Sequence, residues 1–323
     1  MRLIQIVGPT ASGKTNFSVR LGTALHAEMI NVDSMQVYRD LAIGTDKPSP
    51  EQQKLLPIHG IDLIPLGPPM DAAAFAAYAD QKLHDIGRRG NPAILSGGTG
   101  LYHRVIMHGL IEAPSRDDAL RERLRAKRDE IGQQAMYALL QDKDPEAAAR
   151  IMPTDWVRIE RALEVFELTG KRISESQQAH GFKKTRYERL AFGCWRPREE
   201  LYQNIEKRLD EMWHQGILLE TQMLLDAALP LHELPIKALG YKQAAAALTG
   251  KCSLEQALDD AKRETRRFAK RQLTWFRADK DIHWIRMPIT DQAFEAIIDV
   301  CRQFLDGHNP ALDKIPCVDP ANT

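Results

Sequence analysis

Eight residues near the start of the chain have the types and spacing of a phosphate-binding loop. The pattern G-x-x-x-x-G-K-T directly follows an apolar run at residues 3–7, and it consists of Gly8, Pro9, Thr10, Ala11, Ser12, Gly13, Lys14 and Thr15. In such a loop the backbone N–H groups surround a phosphate or diphosphate, the lysine reaches its outer oxygens, and the threonine hydroxyl coordinates Mg²⁺. The sequence therefore predicts a phosphate or diphosphate site with Lys14 as its cation and Thr15 as a ligand of Mg²⁺.

Two further polar side chains follow apolar runs. Asp33 comes after residues 29–32, and Thr99 comes after residues 93–95 and two glycines. The Asp33 carboxylate suits a general base or the binding of a Mg²⁺-bound water, although an Asp-Ser pair is also a common helix start. The Thr99 hydroxyl suits donation to a phosphate oxygen, although Gly-Gly-Thr-Gly is also a common tight turn. Because the carboxyl ends of parallel strands meet at one edge of a sheet, we expect both to lie beside the phosphate loop.

A strongly basic run with interleaved aromatic residues occupies positions 262–277. On a helix it would form two adjacent basic columns, one of Lys262, Arg266 and Lys270, the other of Arg263, Arg267 and Arg271. Such a stripe suits a polyanion backbone with bases stacked on Phe268 and Trp275, although most charge runs are simply solvated helix faces. One guanidinium fork, for which we favour Arg266, would suit a diphosphate in the active site.

The elements that must position these residues read as an α/β fold. Short apolar runs alternate with helical patterns over the first hundred residues, which predicts a P-loop-containing parallel sheet flanked by helices. The charged, helical texture that follows predicts a helical insertion subdomain at residues 114–193. The core is expected at 1–113 and 194–307, with a helix break at Leu229-Pro230 and a loose tail at 308–323.

Composition excludes several classes of protein. The 323 residues include 44 basic and 44 acidic side chains, so any nucleic-acid site must come from local charge patterning. The four cysteines form no C-x-x-C pair, which argues against disulfides and a zinc site. No apolar stretch reaches membrane-spanning length and no signal segment is visible, so we expect a cytoplasmic protein with no membrane partner.

The order of several unusual strings resembles the tRNA dimethylallyltransferases, also called tRNA isopentenyltransferases. Besides the phosphate loop, the resemblance rests on 33–39 (DSMQVYR), 43–48 (IGTDKP), 97–102 (GGTGLY), 158–165 (RIERALEV), 239–241 (LGY), 265–266 (TR) and 269–275 (AKRQLTW). It covers the chain to about residue 285. It implies transfer of a dimethylallyl group from dimethylallyl diphosphate to N6 of adenine 37 of tRNA, so that the loop would hold a diphosphate leaving group rather than ATP.

The same resemblance implies roles for individual residues. Asp33 would be the general base, and Thr99, Arg266 and Lys14 would contact the diphosphate with Mg²⁺ at Thr15. The insertion would grip the anticodon stem-loop, and we expect a monomer. The implied tRNA contacts are Asp33, Ser34, Met35, Gln36, Val157, Arg158, Ile159, Glu160, Arg161, Lys237, Gly240, Tyr241, Lys242, Lys270, Arg271, Gln272, Trp275 and Arg277.

The sequence departs from the family pattern at residues 57–62. The family commonly has Pro-His-His-Leu-Ile-Asp there, whereas this chain has Ile58 and Gly60 in place of the first histidine and the leucine. Three alternatives stay open: a small-molecule P-loop kinase, an adenylate dimethylallyltransferase, and a non-catalytic RNA-binding protein. The basic aromatic stripe and the insertion exceed what a small acceptor requires, which favours tRNA.

Overall fold

A single parallel sheet of six strands organises the larger part of the molecule. The structure, a computed structural model, describes residues 1–182, 184–227, 229 and 234–320, without the side chains of Lys237 and Lys314. Its strands are β1 (Arg2–Val7), β2 (Glu28–Asn31), β3 (Ile58–His59), β4 (Ala93–Gly97), β5 (Glu188–Trp195) and β6 (Ile282–Arg286). The strand order is β3-β2-β4-β1-β5-β6 and every pairing is parallel, which confirms the predicted α/β class.

Fourteen α-helices are assigned among the described residues. They are α1 (Lys14–Ala24), α2 (Pro50–Leu55), α3 (Ala72–Arg88), α4 (Gly100–His108), α5 (Asp118–Ile131), α6 (Gln133–Lys143), α7 (Pro145–Arg150), α8 (Trp156–Thr169), α9 (Ile173–His180), α10 (Arg198–Gln215), α11 (Ile217–Asp226), α12 (Tyr241–Leu248), α13 (Leu254–Arg277) and α14 (Asp291–Leu305). The predicted break at Leu229-Pro230 falls mostly outside the described residues. No helix in the described ranges is long and apolar enough to cross a membrane.

Both faces of the sheet are buried under helices, which explains why the strands read as continuous apolar runs. Neighbouring residues of one strand enter different apolar clusters: Leu3 packs with α3 and α4, whereas Ile4 packs with α1 and α14. In β2, Ile30 belongs to the same cluster as Leu3, and Met29 belongs to the same cluster as Ile4. Because side chains alternate across a strand, this division favours apolar residues at successive positions, with exceptions such as the buried Gln5 of β1.

The chain forms two compact units. One comprises Met1–Met107 with Arg186–Thr323, and the other comprises His108–Thr185. The sequence-based boundaries at 114 and 193 differ at both ends, because β5 pairs with β1 and β6 and so places residues 188–193 in the sheet. The apolar run in the second half of β5 is the sequence feature that indicates a strand of the sheet there, although the sequence-based boundary places it in the insertion.

The smaller unit is a helical bundle with its own core. Leu124 of α5, Met136 of α6 and Leu163 of α8 are among its buried side chains. Aspartates begin three of its helices by accepting a backbone hydrogen bond, as Asp117 does from the N–H of Leu120 at 2.8 Å. Such caps satisfy amides that a helix leaves unpaired at its start.

Candidate active site

Three neighbouring strands bring the predicted motifs to one edge of the sheet. The phosphate loop follows β1, Asp33 follows β2 and Thr99 follows β4, and these strands are adjacent in the order β2-β4-β1. The strand ends are tightly joined: the Thr99 N–H donates to the Val32 carbonyl at 3.3 Å, and a Cβ on Gly97 would lie 2.0 Å from that oxygen. The expected convergence of the three motifs therefore follows from the topology.

The phosphate loop opens directly onto the first turn of α1. Gly13 stands at the N-cap with φ of 94°, a left-handed conformation that favours glycine, and no side chain caps the helix. The first amides of α1 are thus left without a side-chain acceptor, and the helix dipole adds positive potential there. The buried Ser12 hydroxyl also finds no hydrogen-bond partner within the described chain. Both features fit a loop that receives an anion.

Lys14 lies beside two carboxylates at the loop. Burial lowers the pKa of its ammonium, and the nearby Asp33 and Asp46 carboxylates oppose that effect. Its Nζ donates to the Pro9 carbonyl at 3.5 Å, a long hydrogen bond that a stronger acceptor would displace. An anion in the loop would restore the pKa of Lys14 toward its ordinary value.

A cavity of about 370 Å³ lies against this loop and is strongly basic. Thr15 also lines it, and its charged lining residues are five cations, Lys14, Lys47, Arg196, Lys207 and Arg208, against two acids, Asp46 and Glu211. Such a set suits a polyanion of diphosphate size. For Mg²⁺, the Thr15 hydroxyl and the Asp46 carboxylate are oxygen donors of the preferred kind, and they suffice where substrate phosphates complete the coordination. The described residues contain no cluster of three or more His, Cys, Asp or Glu side chains able to hold a metal without such a substrate.

A second cavity of about 430 Å³ shares Arg208 with the first. It contains Asp33 and Thr99, and its wall is largely apolar, with Met35, Leu209, Met212, Leu239 and Phe268. Arg208 lines both cavities, as its Nη2 donates to Thr10 Oγ1 at 2.6 Å and its Nη1 lies 2.9 Å from Asp46 Oδ2. The two cavities therefore meet at the phosphate loop.

Asp33 uses one carboxylate oxygen for local structure. Its Oδ1 accepts from the N–H groups of Met35 at 2.8 Å and Gln36 at 3.3 Å, which fixes the turn after β2. No described residue donates to Oδ2. No helix begins at Asp33, so the helix-start interpretation is wrong. The turn contacts and the catalytic interpretation are compatible, because each needs a different oxygen.

Thr99 and Gln272 connect the loops around the second cavity. Thr99 Oγ1 accepts from the Ser34 N–H at 3.1 Å, so its own proton stays available to an acceptor. Gln272 accepts from the Thr10 N–H at 2.9 Å and donates to the Gly98 carbonyl at 2.9 Å. Gln272, which we expected to contact tRNA, is buried and joins the phosphate loop to the Thr99 loop.

Arg266, which we expected to contact the diphosphate, is paired with an acid of a neighbouring helix, and its role stays a prediction. Its Nη1 lies 2.6 Å from Glu206 of α10. Arg266 is not among the described residues that line the two cavities. Arg208, two positions after Glu206 on the same helix, lies at the phosphate loop instead. Sequence reasoning missed Arg208 because nothing in the charged helix 198–215 distinguishes it from its neighbours.

Most of the basic stripe is neutralised by paired acids. The pairs are Lys262–Asp210, Arg263–Asp260, Arg266–Glu206 and Arg267–Glu264, each at 2.6 Å. Lys270 and Arg271 are exposed and form no ion pair with a described residue, and Arg271 lines the second cavity. The first half of the stripe therefore fits a solvated helix face with paired charges. Its end, where Lys270 and Arg271 are unpaired, fits a surface that binds a polyanion.

Several predicted tRNA contacts have buried side chains. Ile159 is fully buried in the core of the helical unit, and Glu160 is 4% exposed and bonded to Arg125 at 2.8 Å. Gln36 is buried and donates to the carbonyls of Thr45 and Asp46. These three side chains pack the helix or loop that carries them, and their contacts with tRNA stay predictions.

Other predicted contacts lie at surfaces or in the second cavity. Val157, Arg158 and Lys242 are exposed, whereas Arg161 bonds Glu164 at 2.6 Å. The cavity contains Asp33, Ser34, Met35, Tyr241, Arg271 and Gln272, and Gly240 precedes Tyr241. Trp275 stacks under the Arg104 guanidinium at 4.1 Å, and Arg277 donates to the Pro320 carbonyl. The Lys237 side chain lies outside the described part of the structure.

Comparison with known proteins places the chain beside one family. The sequence model of the family described as IPP transferase matches residues 36–279, and that described as isopentenyl transferase matches residues 1–58. The chain is 43% identical over 305 residues to tRNA dimethylallyltransferase 1 of Pelobacter propionicus, covering 94% of this chain and 98% of that protein. It is 44% identical over 296 residues to the tRNA dimethylallyltransferase of Anaeromyxobacter dehalogenans, covering 91% and 97%.

Solved structures show the same likeness. The full-length tRNA isopentenylpyrophosphate transferase of Bacillus halodurans matches with a TM-score of 0.71 and 36% identity, covering 94% of this chain and 97% of that one. A eukaryotic dimethylallyltransferase described as acting on tRNA matches with a TM-score of 0.83 and 25% identity, covering 98% and 82%. The resemblance seen in the motifs is thereby confirmed: this chain belongs to the tRNA dimethylallyltransferase family of prenyl-transferring enzymes.

Proposed function

We propose that this protein transfers a dimethylallyl group from dimethylallyl diphosphate to N6 of adenine 37 in tRNA and releases diphosphate. The observation that carries the proposal is the pair of cavities that share Arg208. One is basic and lies on the phosphate loop, whereas the other is largely apolar and contains Asp33 and Thr99. A donor with an anionic end and an apolar end fits across that junction.

The basic cavity would hold the diphosphate of the donor. Lys14, Arg208 and the first amides of α1 supply positive charge, and the Thr99 hydroxyl has a proton to donate. We assign to Arg208 the bidentate contact first expected of Arg266, because Arg208 is already bonded to the loop through Thr10. Mg²⁺, held by Thr15 and the donor itself, would further neutralise the diphosphate oxygens.

The chemical step would break the C1–O bond of the donor and form a bond between C1 and adenine N6. The bonding electrons leave with the diphosphate, and the N6 proton passes to the Asp33 carboxylate. The allylic carbon carries delocalised positive charge while the leaving group gains negative charge, so cations fixed at the loop stabilise the transition state more than the bound donor.

Asp33 is suited to the acceptor side of this step. An exocyclic adenine amine is a weak nucleophile because its lone pair is conjugated with the ring, so it needs a carboxylate in hydrogen-bond reach and a base outside its stack. The backbone hydrogen bonds to Oδ1 fix the orientation of the carboxylate while Oδ2 accepts none from the described chain. Such fixed positioning contributes to the rate without covalent chemistry.

The anticodon stem-loop is the part of tRNA that we assign to this site. Support comes from the exposed Lys270 and Arg271, of which Arg271 lines the second cavity, and from the exposed Val157 and Arg158 in the helical unit. A splayed-out base beside a basic surface is the common mode of sequence-specific RNA binding. The monomeric state and the cytoplasmic location stay predictions, the latter consistent with a tRNA substrate.

Replacement of Asp33 by Asn tests the proposal most sharply among single variants. Asn keeps an oxygen that can accept from Met35 and Gln36, so the turn should persist while the basic group is lost. We expect the transfer rate from bound substrates to fall at least about a hundredfold, with tRNA affinity within about twofold of wild type.

The matched control is Asp40→Asn, which changes an exposed carboxylate a few residues away. It should leave rate and affinity unchanged. An Asp33→Asn enzyme that transfers at the wild-type rate, or one that loses tRNA affinity and rate in parallel, would contradict the base role.

A further inference from the structure

A buried carboxylate outside both cavities organises one of their shared walls. Glu220 of α11 is 7% exposed, and it accepts from the backbone N–H groups of Ala42 at 3.1 Å and Ile43 at 2.8 Å. Its third donor is the hydroxyl of Tyr241, a fully buried residue at the start of α12. Two consecutive amides and one phenol hydroxyl therefore converge on one carboxylate.

The negative charge of Glu220 has no cationic partner among the described side chains. A buried carboxylate is stable only when its oxygens are well solvated by the protein, and here two amides and one hydroxyl do so. Burial and Glu220 together raise the pKa of Tyr241, so the hydroxyl keeps the proton that it donates. Gly44 packs closely on the ring, since an added Cβ would lie 2.5 Å from Tyr241 Cζ. The loop at residues 42–46 is thus built around the charge.

That loop leads directly to Arg208 and the phosphate loop. Asp46 has φ of 55°, a left-handed conformation that a non-glycine residue keeps only where its surroundings impose it. In this conformation its carboxylate lies 2.9 Å from Arg208 Nη1, and Arg208 Nη2 donates to Thr10 Oγ1 at 2.6 Å. Gly44 and Thr45 line the apolar cavity and Asp46 lines the basic one.

We infer that Glu220, acting with Tyr241, is a positioning residue for donor binding. By accepting from the amides of Ala42 and Ile43 it fixes the loop that orients Asp46, and Asp46 in turn holds Arg208 on the phosphate loop. The inference rests on the proposed function, since it takes the basic cavity as the diphosphate site. Glu220 itself touches neither cavity, so its effect on the diphosphate must pass through the loop.

Glu220→Gln provides the test, because the amide nitrogen would face backbone donors in place of an accepting oxygen. The probe is inorganic pyrophosphate with Mg²⁺, measured by calorimetry, with tRNA affinity measured in parallel. We expect pyrophosphate affinity to fall about tenfold, the effect of one or two buried donors left unpaired, and tRNA affinity to stay within about twofold. Asp226→Asn, an exposed carboxylate on the same helix, should change neither affinity.

Two further measurements separate positioning from general destabilisation. If Glu220 acts through Asp46, Glu220→Gln should weaken pyrophosphate binding little further in an Asp46→Asn background. Amide hydrogen exchange should accelerate at residues 42–46 and not in β1 or β4. Tyr241→Phe, which removes one donor and keeps the ring, should show the same pattern more weakly and serves if Glu220→Gln does not fold.

Unchanged pyrophosphate affinity in Glu220→Gln would overturn the inference, as would an equal loss of tRNA affinity or additive effects with Asp46→Asn. A wild-type protein that binds no pyrophosphate would contradict the proposed use of the phosphate loop. In that case, accelerated exchange confined to 42–46 would still support the loop-positioning role of Glu220, and unaltered exchange would refute it.

Discussion

At the residue scale, the buried carboxylates in the described part of the chain each accept from several donors. Glu28 accepts from Arg89 through two hydrogen bonds of 2.8 Å, from Asn91 at 2.9 Å, and pairs with His59 at 2.7 Å. His59 belongs to the segment that departs from the family pattern. Because it pairs with Glu28, the first residue of β2, it has a structural role there. Fixed charges of this kind make stability depend on pH.

Glu28→Gln should lower the stability of the protein in a pH-dependent way. The hydrogen bonds from Arg89, assisted by His59 and Asn91, lower the pKa of Glu28 from 4.5 to about 2. A lowered carboxyl pKa means stability that is present above 4.5 and is lost as pH falls toward 2. We expect the variant to be about 2 kcal/mol less stable near pH 7, with the difference shrinking below pH 4.5, in urea unfolding series. Glu295→Gln, an exposed control, should show no such convergence, and a pH-independent difference for Glu28→Gln would contradict the assignment.

Sequence reasoning located residues that carry a distinctive local pattern and missed those that act from within a helix. Gly8 to Thr15, Asp33 and Thr99 each follow a strand, and strand ends in a parallel sheet meet by topology. Arg208 lies in a helix rich in charges, so only the folded geometry shows that it, and not Arg266, reaches the phosphate loop. The roles of all these residues stay predictions until variants are measured.

At the element scale, the two faces of helix α13 make different contacts. Its buried face carries Gln272, which bonds both the Thr10 N–H and the Gly98 carbonyl. Its exposed face carries the basic stripe, most of which is paired with acids of α10 or of α13 itself. The amphipathic pattern could be read from the sequence, but the pairing across two distant helices could not.

Gln272→Met should weaken donor binding and stability together. The variant keeps the side-chain length but leaves the Thr10 amide and the Gly98 carbonyl without partners. We expect a loss of about 1–3 kcal/mol in unfolding free energy and a higher KM for the allylic diphosphate. Thr274→Val on the exposed face of the same helix is the control, since its hydroxyl bonds only within the helix. Unaltered stability and KM in Gln272→Met would show that the two hydrogen bonds of Gln272 contribute neither to folding nor to donor binding.

Neutralising Lys270 and Arg271 should weaken tRNA binding and reduce its salt dependence. If each contacts one phosphate, the double change to Gln should reduce the slope of log affinity against log salt by about 1.4. The matched control is Arg263→Gln with Arg267→Gln, because those guanidinium groups are already paired with Asp260 and Glu264. If the two double variants change tRNA affinity and its salt dependence equally, the basic stripe attracts tRNA only nonspecifically and Lys270 and Arg271 make no particular contact.

At the scale of the whole molecule, the chain combines a sheet unit with a helical unit inserted between α4 and β5. Each unit has its own apolar core, as separately packed domains do. The change in texture along the sequence predicted that there are two units. Their boundaries depended on β5, whose partners β1 and β6 are distant in sequence and are revealed only by the fold.

The measurement that tests the central claim most directly is the mass of nucleosides after reaction. Purified protein, dimethylallyl diphosphate and Mg²⁺ would be incubated with tRNA lacking the modification, and in a parallel reaction with AMP in place of tRNA. We predict a dimethylallyl increment on one adenosine of the tRNA, mapping to position 37, and none on AMP. An increment on AMP alone, or none in either reaction with folded protein, would contradict the account.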